Sequence, residues 1–65
     1  MGKGEKIPVL IHHWIEHNES HGREYRRWAH IAREEGLFEV ETLILEAADC
    51  IRSANEKLKE TLEHL

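Results

Sequence analysis

Arg33-Glu34-Glu35-Gly36-Leu37-Phe38-Glu39-Val40-Glu41 is the stretch on which the fold turns. Gly36 closes a run of helix-compatible charged residues. Glycine is the residue that takes the left-handed conformation of a helix C-terminus cheaply. Leu37 just beyond it supplies the hydrophobic contact that commonly completes such a cap. A second helix starts near Phe38, and Glu39 and Glu41 in its first turn complement the positive end of the helix dipole.

Working upstream, helical spacing holds back to about residue 8, where Pro8 occupies the first turn, the position at which proline is best tolerated. Only Gly22 is a poor helix former in that span, at a cost of roughly 1 kcal/mol relative to alanine. It follows His21, so either a neighbouring helix comes close there or the helix kinks locally. The predicted helices run over about 8–35 and 38–63, with the turn at 36–37. Residues 1–6 (MGKGEK) are glycine-rich and charged and are expected to be disordered. No repeat, low-complexity tract or strand signal interrupts this pattern.

Downstream, the apolar stripe is Leu37, Val40, Ile44, Ala47, Ala48, Ile51, Ala54, Leu58, Leu62 and Leu65. Leu43 and Cys50 lie at one margin, and Asn55 is the polar residue near the centre. Two helices of about 25 residues, each near 40 Å at 1.5 Å per residue, joined by so short a loop form an antiparallel hairpin. Residues whose numbers sum to about 73 then lie level, which sets His17 and Asn18 beside Asn55. A lone hairpin cannot cover both stripes. The expected fold is therefore all-α, a two-helix hairpin that dimerises into a four-helix bundle. The expected partner is a second copy, as a homodimer or higher oligomer, with a further protein partner left open.

The bulk properties narrow the function. A chain of 65 residues is one domain at most, and one this small buries only about 60% of its unfolded surface. A single cysteine, Cys50, excludes an internal disulfide and fits a reducing compartment. No apolar run nears the roughly 20 residues of a membrane span, and no signal-peptide pattern is visible. A cytoplasmic protein without membrane contact is expected. The net charge of −4 argues against nucleic acid. The one basic cluster, Arg23, Arg26 and Arg27, is flanked by glutamates and reads as a solvated face.

The residues that suggest chemistry are His13, His17 and His21, spaced four apart. At about 100° per residue, His17, Asn18, His21, Tyr25, Trp14 and Trp28 share an arc with Ile7, Leu10, Ile11 and Ala32. That arc is expected to be the packed one, and polar rings on a buried face need partners. A polar layer of His17, Asn18, His21 and Asn55, bracketed by tryptophans, follows. Histidines at i and i+4 can hold one ion together, whereas i and i+8 are about 12 Å apart and cannot. A site would use His13 with His17 or His17 with His21, its remaining ligands coming from the second helix or the partner chain, with Cys50 as a candidate thiolate. A two-fold axis beside His17 and His21 would gather four imidazoles, a set suited to zinc or nickel. The alternative is a non-catalytic structural or adaptor dimerisation module whose buried histidines fix register.

Other chemistries fit less well. A metalloprotease needs HExxH, and Trp14 and Asn18 follow the relevant histidines. The His13-x-x-Glu16 order reverses that of ferritin-like di-iron sites. His12, His30 and His64 are expected in solvent. No acid–base or nucleophile–base pair is legible, so the reading leans away from an enzyme.

The run HHWIEHNESHGREYRRWA resembles the signature of small prokaryotic domains of unknown function, in which HWxxHNxxH precedes an aromatic-basic helix and an alanine-rich second helix. The likeness runs from Pro8 to Leu62. It implies the helical hairpin, singles out His13, Trp14, His17, Asn18 and His21, and carries no reaction with it.

Overall fold

The computed structural model describes residues 2–65. Two long helices, α1 (Ile7–Glu34) and α2 (Phe38–Glu63), form an antiparallel hairpin. Lys3–Lys6, where a disordered segment is expected, wind into one 3-10 turn that runs straight into α1. Met1 lies outside the described residues.

The turn is built as its sequence suggests. Gly36 sits at φ 76°, in the left-handed region. Its N–H donates to the Arg33 carbonyl at 3.0 Å, and the Leu37 N–H reaches back to the Ala32 carbonyl at 2.9 Å. These are the paired bonds of a Schellman cap, which satisfy the last carbonyls of α1. Glu41 then donates its N–H to the Leu37 carbonyl at 3.0 Å and starts α2. Arg33 and Glu41 face each other across the turn at 3.5 Å.

The seam between the helices is narrow and made of small or branched residues. Ile11, Ile15, Gly22, Ala29 and Ala32 are its buried members on α1, and Ala48 and Asn55 those on α2. Successive steps of about 100° place Ile11, Ile15, Asn18, Gly22 and Ala29 within roughly 60° of one another. The packed strip is half as wide as the arc expected from the sequence and displaced to one side of it. Leu10, Trp14, Tyr25 and Trp28 are exposed, as are His17 and His21. Ile15, left off that arc, is buried. A helix with a single neighbour covers only the strip facing that neighbour, so the rest of a broad apolar arc stays in solvent.

The expected register holds. Asn18 Nδ2 donates to Asn55 Oδ1 at 2.9 Å, a pair whose numbers sum to 73. Asn55 Nδ2 donates in turn to the Ile15 carbonyl at 3.2 Å. Asn55 is 6% exposed, and among the described residues no buried side-chain polar atom lacks a partner. Gly22 permits no close approach of backbones. A Cβ there would stand 4.0 Å from Ile51 Cγ2 and 3.8 Å from Arg26 Nη1, ordinary contact distances. Gly22 also lies within the continuous helix α1.

The result is a rod of 54 × 14 × 12 Å with a radius of gyration of 15.3 Å. A globule of this length would have a radius near 11 Å. Among the described residues no helix is long and apolar enough to cross a membrane.

Candidate histidine site

Four aromatic rings climb α1 one turn at a time. The ring centroids of His13 and His17 are 5.5 Å apart, those of His17 and His21 4.9 Å, and those of His21 and Tyr25 6.4 Å. The cause is helical geometry, which stacks side chains at i and i+4 above one another. Within this ladder His17 and His21 converge furthest. His17 Nδ1 and His21 Nε2 share a hydrogen bond of 3.1 Å, in which one imidazole N–H donates to the other ring's lone pair.

The ladder borders the exposed apolar side of the hairpin. His13, Trp14, His17, Asn18, His21 and, from α2, Leu58 line one shallow concavity. Glu16 and Ser20 flank the histidines on the other side. Further towards the turn, Tyr25 and Trp28 meet Val40, Leu43, Ile44 and Ala47 in an apolar groove. Trp28 is held in place there: its Nε1 donates to Glu24 Oε1 at 3.0 Å, and the Arg27 guanidinium stands 5.5 Å from its ring centroid. The opposite side of the rod is charged, with Glu19, Arg23, Arg26, Arg52 and Glu56 around a shallow cleft.

The expected polar layer is thus divided in two. Asn18 and Asn55 form a hydrogen-bonded pair in the seam, while His17 and His21 stand about 100° and 60° round α1 from Asn18 and bond to each other. Cys50 is exposed and is not among the residues lining the surface around the histidines. Among the described residues no group of three potential ligands could hold a metal ion. Among the three imidazoles of the ladder, His17 and His21 are the pair whose nitrogens meet directly, at 3.1 Å. Sequence reasoning missed Ile15 as a seam residue. It also missed that Leu58 and Val40 border the histidine and tryptophan surface; their position, about 80° round α2 from Ala48, was the available signal.

A family model described as "Domain of unknown function (DUF8180)" matches residues 7–65, and the chain belongs to that family. No curated protein matches the chain, and neither does any solved structure.

Proposed function

We propose that this family member is a homodimerisation module, in which two hairpins pack through the side bearing Trp14, the histidine ladder, Trp28 and Leu43 to make a four-helix bundle. The observation that carries the reading is the area left uncovered. The chain exposes 5311 Å², whereas a compact monomer of 7.7 kDa exposes about 4300 Å². The excess of about 1000 Å² is comparable to the roughly 800 Å² per partner that a standard stable interface removes from water.

The uncovered side has the composition of such an interface. Trp14 is 46% and Trp28 49% exposed, and Leu43 is 64% exposed. Tryptophan and tyrosine are the residues that anchor interfaces, by combining large apolar area with a polar tip. Among the described residues the buried apolar side chains, by contrast, are isoleucines and alanines. A second copy is the fitting occupant, because a rod with one apolar and one charged side buries its apolar side against its own equal about a two-fold axis. Sedimentation equilibrium of the untagged chain at micromolar concentration should give twice the chain mass. A folded species of 7.7 kDa under those conditions would refute the reading.

A further inference from the structure

We infer that His17 and His21 from two chains form one tetrahedral divalent-metal site on the dimer axis, suited to zinc and to cobalt. The inference rests on the dimer reading, since each chain supplies half of the ligands. The distance is the first argument. Two ligands of a tetrahedral zinc with Zn–N bonds of about 2.0–2.1 Å stand about 3.3 Å apart. His17 Nδ1 and His21 Nε2 are already at 3.1 Å, so a helix turn holds them near the edge length of the coordination tetrahedron. Metal entry breaks a single imidazole–imidazole hydrogen bond. The proton on that bond moves to the other nitrogen of its own ring, and both lone pairs become free to bind. Nothing is oxidised or reduced.

Position is the second argument. His17 and His21 bracket residue 19, within two residues of the midpoint of α1, which spans Ile7–Glu34. When two rods pair antiparallel along their full length, the two-fold axis crosses near their midpoints. That antiparallel arrangement lays each α1 against its own copy and brings the two histidine pairs together, whereas a parallel one would set α1 against the second helix of the partner. Their exposed rings lie beside Trp14 and Leu58, so packing of that side carries them into the interface, where two unshared histidine pairs would leave polar nitrogens buried. A four-imidazole set meets the nitrogen preference and coordination number of zinc.

The test is titration of the untagged, metal-free chain with cobalt(II), read by its visible d–d absorption, alongside sedimentation with and without the ion. The expected result is one cobalt per two chains with a tetrahedral spectrum. His17→Ala and His21→Ala should each weaken binding by more than about 100-fold, since even outer-shell partners are worth about 10–100-fold. His12→Ala should bind as the parent does. A chain that is dimeric without metal, yet binds no cobalt or binds it equally in the His12 and His17 variants, overturns the metal site and leaves the dimer standing. A chain that is monomeric alone and pairs on adding cobalt supports the site and overturns the metal-free dimer. A chain that stays monomeric throughout overturns both.

Discussion

At the scale of the residue, the two interior glycines behave oppositely. Gly36 needs its left-handed φ of 76°, a conformation that costs other residues roughly 1–2 kcal/mol, and its sequence context announced it. Gly22 needs nothing of the kind. A methyl group there meets ordinary contacts, and the residue lies inside a continuous helix. Gly22→Ala should therefore stabilise the fold by up to about 1 kcal/mol through helix propensity alone. A thermal scan should show the midpoint rising by several degrees, about 4–8 °C per kcal/mol for a domain of this size. A falling midpoint would show that assembly brings another chain against Gly22. The Asn18–Asn55 bond was legible for a different reason. The short turn fixes which residues lie level, and a lone asparagine in an apolar stripe demands a partner. The outward turn of His17 and His21 was not legible, because a histidine resembles neither a committed core residue nor a committed surface residue.

At the scale of the element, the two helices and their turn were readable almost to the residue, since periodicity, proline and glycine signals agree with one another. The face that each helix gives to the other was harder to read. Both helices carry apolar residues through more than 120° of arc, and a pattern at 3.6-residue period shows that an arc is apolar without showing which part meets which neighbour. The small residues were the available discriminator. Ala29, Ala32 and Ala48 are buried where the helices come together, and the bulky Trp14, Trp28, Val40 and Leu43 are left outside. Two half-seams on one helix make a testable division. Leu43→Glu alters a side chain that is 64% exposed in the hairpin, so it removes little in-chain packing. It should nonetheless abolish the dimer, because an unpaired charge buried in the assembled face costs several kcal/mol. Sedimentation of that variant should return the mass of one chain, and an unchanged dimer mass would place the interface elsewhere.

At the scale of the whole molecule, a 54 Å rod only 12–14 Å across has a small interior for its length. Its seam buries two isoleucines and three alanines as the apolar core. Small domains generally need a staple or a partner to add to so modest a core; the one cysteine cannot form an internal disulfide, which leaves association or metal. Stability linked to association depends on protein concentration by mass action, and here the reporters are already in place. Trp14 and Trp28 are the only tryptophans, both are about half exposed in the single hairpin, and both lie on the side proposed to pair. Their emission should shift to the blue as the chain is concentrated from nanomolar to tens of micromolar, and the melting temperature should climb over the same range. Helix content should rise in step if the hairpin folds only on pairing, and should stay level if it is preformed. An emission maximum and a melting temperature that are both independent of concentration across that range would contradict pairing through the tryptophan side.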